Sequence, residues 1–94
     1  MTAFGIIVEE QPADVEILIQ NDETEAYLRA RNVHPSQRFA KRPDGKTVLA
    51  MTVRGTTELR NWVLGFGPWL EVLKPATLCN EVSTLLRKAA RNYR

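Results

Sequence analysis

Pro43-Asp44-Gly45 separates two stretches, Gln37 to Arg42 and Lys46 to Arg54, that read as β-strands, and glycine's tolerance of positive φ suits it to a tight hairpin loop. A three-residue loop leaves one register. Paired residue numbers add to 88, which sets Phe39 opposite Leu49 and Gln37 opposite Met51 on one face, and Arg38 opposite Ala50 on the other. Because side chains alternate across a strand, a slip by one residue would turn the whole apolar set outward. The Phe39 face is therefore expected to be core.

The other elements are spaced around this hairpin. Val15, Ile17 and Ile19 alternate with Asp14, Glu16 and Gln20, the period of a half-buried strand. Asp22 followed by Glu25 is a capping-box pattern opening a first helix through Ala26, Tyr27, Leu28 and Ala30, and His34-Pro35 stops it. Thr56 is an N-cap candidate for a second helix in which Leu59, Trp62, Val63 and Phe66 share one face. Gly65 and Gly67-Pro68 end that helix, and Trp69 to Leu73 reads as a fourth strand. Pro75-Ala76-Thr77 caps a last helix with an apolar stripe of Leu78, Val82, Leu85, Leu86, Ala89 and Tyr93. Two βαβ halves joined by a hairpin predict an α+β, ferredoxin-like split βαβ sandwich, with a four-stranded antiparallel sheet in order 4-1-3-2 and an extra C-terminal helix.

Ninety-four residues with 44% apolar and 26% charged side chains suffice for one domain, residues 1–94, and exclude a second core, a disordered tail and a fibrous repeat. No apolar run approaches a membrane span, and Met1 to Val8 lacks the basic start of a signal peptide, so a cytoplasmic chain without membrane contact is expected. One cysteine, Cys79, and one histidine, His34, make neither a disulfide nor a metal cage within one subunit; no metal and no cofactor is expected.

The net charge of +2 conceals an asymmetry. Residues 1 to 28 carry seven acids and no Lys or Arg, and from Arg29 onward thirteen bases face four acids, so the parts are −7 and +9. Such polarity either steers an anionic partner or lets the two parts attract each other; the second is the simpler reading. Gly65-Phe66-Gly67-Pro68 contains a G-x-G, but it closes a helix, where carbonyls rather than amides are presented, so it reads as a stop and not a phosphate cradle. His34 has no serine and carboxylate constellation around it, and the paired acids Glu9-Glu10 and Glu23/Glu25 read as surface. No catalysis is expected.

If Phe39, Leu49, Met51, Val53, Val15, Ile17, Ile19, Leu70 and Val72 face the two inner helices, the other sheet face shows Leu18, Val48, Ala50, Trp69 and Leu73 among Glu16, Arg38, Arg42, Arg54 and Glu71. Half-apolar faces call for a cover. The last helix, or a partner, is expected to lie there. The central strands carry Glu16 and Ala50 where RNA-recognition modules stack aromatics, which argues against RNA. Arg38, Arg42, Arg54 and Trp69 are the candidate effector or partner surface. With both inner-face positions assigned to the first two helices, Leu78, Val82, Leu85, Leu86 and Tyr93 are the candidate seam of a homodimer. Arg87, Lys88, Arg91 and Arg94 disfavour parallel tails and favour an antiparallel or swapped pairing against the acidic first 28 residues.

The chain resembles the C-terminal extension domain, called WCX, that follows the WYL domain in bacterial helix-turn-helix transcriptional regulators. The resemblance rests on Ala3-Phe4-Gly5-Ile6 leading into a Val-rich strand, His34-Pro35-Ser36-Gln37 before a hairpin turning at Asp44-Gly45, and the run Glu58 to Pro68. Trp69-Leu70-Glu71-Val72-Leu73-Lys74-Pro75 and a closing helix near Tyr93 continue it. It implies a regulatory domain that senses an effector, a small molecule or nucleic acid, through its parent protein and supports dimerisation. Promoter DNA would be read only by an N-terminal domain outside this sequence, so Met1 is expected to start a fragment. The alternative is an autonomous ferredoxin-like interaction or small-molecule-sensing domain unrelated to transcription.

Overall fold

The hairpin forms in the expected register. The computed structural model describes residues 11–93, so the Ala3-Phe4-Gly5-Ile6 lead-in, Glu9, Glu10 and Arg94 lie outside the described residues. Strand β2 (Arg38–Lys41) runs antiparallel to β3 (Thr47–Arg54), with Phe39 opposite Leu49 and Arg38 opposite Ala50. Gly45 takes φ +91°, and Asp44 Oδ1 accepts the Lys46 amide at 3.0 Å, so the turn is closed by its own residues. Strand β1 (Pro12–Ile19) lies on the other side of β3 and also pairs with β4 (Leu70–Lys74), giving the antiparallel order β2-β3-β1-β4. Read from the opposite edge, this is the expected 4-1-3-2 sheet of the split βαβ sandwich. Phe39, Leu49, Ile17 and Val72 form one row across it.

Three helices accompany the sheet among the described residues. Helix α1 (Asp22–Arg29) is capped one residue earlier than the capping-box pattern indicates: Asn21 Oδ1 accepts the Thr24 amide at 2.9 Å, and Asp22, Glu23 and Glu25 occupy the first turn, where carboxylates oppose the helix dipole favourably. It ends at Arg29, well before Pro35. Helix α2 (Thr57–Leu64) buries Val63 completely, while Leu59, Trp62 and Phe66 pack against the core half-buried. Gly65 closes α2 in ordinary right-handed geometry at φ −66°, and the left-handed residue is Gly67 at φ +58°. Gly67 starts a 3₁₀ turn (Gly67–Trp69) that takes Trp69 out of the expected strand, so β4 begins at Leu70.

Helix α3 (Ala76–Arg91) docks where the sequence reading leaves no room. Leu78 and Val82 join Leu28 of α1, Val63 of α2 and the inward residues of β1, β3 and β4 in one core cluster, so all three helices share one sheet face. The physical reason is length. Two eight-residue helices span only about 12 Å each, which leaves the β4 side of a four-stranded sheet uncovered. α3 fills that side and is tied to α2 by Arg60 Nη1 and Glu81 Oε2 at 3.0 Å. Leu18 and Val48, on the opposite face of the sheet, are buried but stand apart from this cluster.

The charge asymmetry is met in part inside the chain. Lys41 approaches Glu25 at 3.9 Å and Lys74 approaches Glu16 at 3.7 Å, each pair joining the acidic part to the basic one. In both pairs the lysine is largely exposed, and surface pairs contribute about 0–1 kcal/mol each, so they orient more than they stabilise.

Candidate functional site

Between α1 and β2 the chain makes a turn whose polar groups are satisfied by its own side chains. Gln37 Oε1 accepts the amides of Val33 at 2.6 Å and His34 at 3.1 Å, while its Nε2 donates to the Arg31 carbonyl at 3.1 Å. The Gln37 amide in turn donates to the His34 carbonyl at 3.0 Å. Ser36 Oγ accepts the Thr52 amide at 2.9 Å and donates to the Thr52 carbonyl at 3.1 Å, which fastens the loop to β3. The Ser36 amide donates to His34 Nδ1 at 3.1 Å. Ser36 Oγ also lies 2.8 Å from His34 Nδ1, so the imidazole is held against the serine two residues on. His34-Pro35-Ser36-Gln37, singled out by resemblance, thus has a structural meaning as a pinned loop.

The pinned loop walls a groove of about 790 Å³ against the end of β3 and the first turns of α2. Its lining includes the polar Arg31, His34, Arg54 and Glu58 and the apolar Val53, Leu59 and Trp62. The Arg31 guanidinium carbon sits 3.6 Å from the Tyr27 ring centroid, and Arg31 Nη1 donates to the Tyr27 carbonyl at 3.1 Å, so the guanidinium is held in place. Trp62 packs edge-on to Phe66 with centroids 4.9 Å apart, which fixes its indole in the wall. Arg31, Glu58 and the loop residues of this groove were not among the sequence candidates. The available signal was the histidine and glutamine flanking Pro35-Ser36, residue types that commonly brace loops.

The four residues expected to form one effector surface are dispersed. Arg38 is exposed on β2 and donates to the Ser36 carbonyl at 3.3 Å. Arg42 is paired with Asp44 of its own turn at 3.1 Å. Trp69, 47% exposed, sits in the 3₁₀ turn beside β4, the opposite sheet edge from Arg38 and Arg42, about 14 Å away at the usual strand spacing. Arg54 lies at the end of β3 where Pro12 pairs with it, the far end from Trp69, and it alone of the four lines the groove.

The candidate seam divides in two. Leu78 and Val82 belong to the core of their own chain, and Leu85 is half-buried. Leu86 remains 38% exposed and Tyr93 88% exposed. No group of three or more His, Cys, Asp or Glu is placed to hold a metal among the described residues, and no helix there is long and apolar enough to cross a membrane.

The family model of the WCX domain matches residues 11–90. The chain belongs to the WCX family. The match begins at the residue before β1 and ends in the last turn of α3, so the sheet, the pinned loop and the groove are all parts of the WCX domain. No curated protein matches the chain.

Proposed function

We propose that this WCX domain is the non-enzymatic regulatory part of a bacterial WYL-type helix-turn-helix transcriptional regulator. In this reading it senses an effector, helps hold two copies of the regulator together, and acts in the cytoplasm. Promoter DNA is read by a separate helix-turn-helix domain of the regulator. The observation that carries the proposal is the family match over residues 11–90.

The last turns of α3 support the pairing role. Leu86 and Tyr93 leave apolar surface on a helix whose first half is already held in the core, and two-fold pairing is the commonest way a soluble protein covers such a strip. Lys88 and Arg91 in the last turn disfavour parallel, in-register helices and favour an antiparallel seam. Light scattering at high micromolar concentration tests this part: a mass about twice 10.7 kDa is expected for the chain, and a monomer for Leu86→Asp with an unchanged melting midpoint. A monomeric wild type rejects the pairing role. Preferential binding of the isolated chain to one duplex sequence at physiological salt would reject the assignment of DNA reading to another domain.

A further inference from the structure

We propose that the cleft between α1 and α2 binds a small organic cation, an alkylated ammonium ion, against its aromatic wall. The inference deepens the effector part of the regulatory reading and rests on that reading only for its biological use.

Three observations converge on this ligand chemistry. The first is the wall. Tyr27 of α1, Trp62 near the end of α2 and Phe66 just beyond it line a cleft of about 670 Å³. Phe66 stands edge-on to both neighbours, with centroids 4.9 Å from Trp62 and 6.1 Å from Tyr27, so the three rings brace one another as one surface. Aromatic faces attract cations through the ring quadrupole, and Tyr27 is 48% exposed. Arg31 stacks on Tyr27 from outside the lining, which leaves Trp62, Phe66 and the rest of Tyr27 to the cleft.

The second is charge. Glu23 is the one charged side chain of the lining, and among the described residues it meets the Asn21 side-chain amide at 3.5 Å and no cation. The third is a helix end. Asn61, Trp62, Gly65 and Phe66 bring the C-terminal turn of α2, the negative end of its dipole, to the cleft. That turn carries no basic residue, whereas α1 has Arg29 and α3 has Lys88 and Arg91 in the same place. The positive end of α1, across the cleft, is offset by Asp22, Glu23 and Glu25 in its first turn.

The lining also selects among cations. Asn61 Oδ1 already accepts from Arg60 Nε at 3.1 Å, so Glu23 offers the only carboxylate or amide oxygens of the lining side chains left to a ligand. A guanidinium or primary ammonium has several N–H donors to satisfy, and a fully alkylated ammonium has none. The alkylated ion instead rests its methyl groups on the rings. The other grooves do not favour a cation: the one beside the pinned loop has Arg31 and Arg54 in its lining, and the cleft between α2 and α3 has its charges paired as Arg60 and Glu81.

The test is an NMR titration of the full ¹⁵N-labelled chain with choline and with its neutral analogue 3,3-dimethylbutan-1-ol, at constant ionic strength. Amide shifts centred on Glu23, Thr24, Asn61, Gly65 and Phe66, with the Trp62 indole moving, are expected for choline. A Kd of about 1–30 mM is the range for a few exposed cation–π contacts and one carboxylate. The alcohol keeps the shape and lacks the charge, so it is expected to bind at least about threefold more weakly. Glu23→Gln, at an exposed position, is expected to weaken choline about twofold to threefold in a chain that stays folded, and Tyr27→Leu to weaken it at least as much while keeping apolar bulk. Glu23→Gln decides on its own should Tyr27→Leu lose its fold. Equal binding of the alcohol, unchanged affinity of Glu23→Gln, shifts centred outside the cleft, or no shift at about 50 mM choline overturns the proposal. A chain that pairs in solution yet binds no choline loses the cleft and keeps the regulatory reading.

Discussion

Ser36 Oγ lies 2.9 Å from the Thr52 amide nitrogen and 3.1 Å from the Thr52 carbonyl oxygen, so a side chain stands in for the backbone on the next rung of the β2–β3 ladder. The two residue numbers add to 88, as the hairpin pairs do. β2 thus begins at Arg38 as a strand, yet its register extends back into the preceding loop through Ser36.

Ser36→Ala removes both bonds and leaves the part-buried Thr52 amide unsatisfied. A loss of about 1–3 kcal/mol is expected in urea unfolding, the usual range when one partner of a buried hydrogen bond is deleted. Amide exchange at Thr52 should quicken with it, while exchange at Leu49, deep in the same strand, follows only the global change. A Thr52 amide as protected as before would show that Ser36 does not hold the strand.

Two leucines separate core from seam. Leu28 of α1 is fully buried in the central cluster, so Leu28→Ala should cost about 2–5 kcal/mol, a large share of the 5–15 kcal/mol typical of a domain. Leu86→Ala should change the stability of the dissociated chain by about 0.5 kcal/mol or less, because its side chain is already exposed there. Denaturant curves at low concentration, where pairing is absent, measure both. Equal costs would place Leu86 in the core and remove it from the seam.

Glu25 couples α1 to the hairpin. Its hydrogen bond with Arg29 at 2.8 Å is the main cause holding its carboxyl below the ordinary value; burial opposes this, and the Thr47 hydroxyl and the Lys41 charge assist it. A depressed carboxyl pKa stabilises the fold above the unfolded value, and the contribution disappears as pH falls through the folded one. The melting midpoint of the wild type should exceed that of Glu25→Gln at neutral pH, and the gap should close as pH falls below about 4. A gap that persists into acid would mean the carboxylate charge is not its source.

Gly65 and Gly67 have opposite sensitivities. A Cβ at Gly67 meets open space but would sit on a backbone at φ +58°, so Gly67→Ala should destabilise by about 1–2 kcal/mol. Gly65 has helical φ, and its Cβ would lie 3.4 Å from the Trp62 carbonyl oxygen, at ordinary contact distance. Gly65→Ala should be neutral or stabilise by up to about 1 kcal/mol, chiefly by restricting the unfolded chain. Thermal melts of the two variants compare them directly.

The hairpin register and the membership of Leu49, Val63 and the β1 residues in the core were legible in the residues alone, because side-chain period and turn chemistry are local; the strand order followed from the succession of elements, two βαβ halves around one hairpin. The cap of α1 and the start of β4 were legible only to within a residue, since Asn21 and Asp22 are both competent caps and Trp69 suits a strand as well as a 3₁₀ turn. The resting place of α3 was decided by tertiary structure: an apolar stripe specifies that it will be buried, not where, and the space beside β4 exists only because α1 and α2 are short. The groove belongs to the same class. Arg31, His34, Arg54, Glu58 and Trp62 come from one helix, a strand end and the loop after α1, and no spacing in the chain announces that Ser36 and Gln37 will hold that loop where the five can meet.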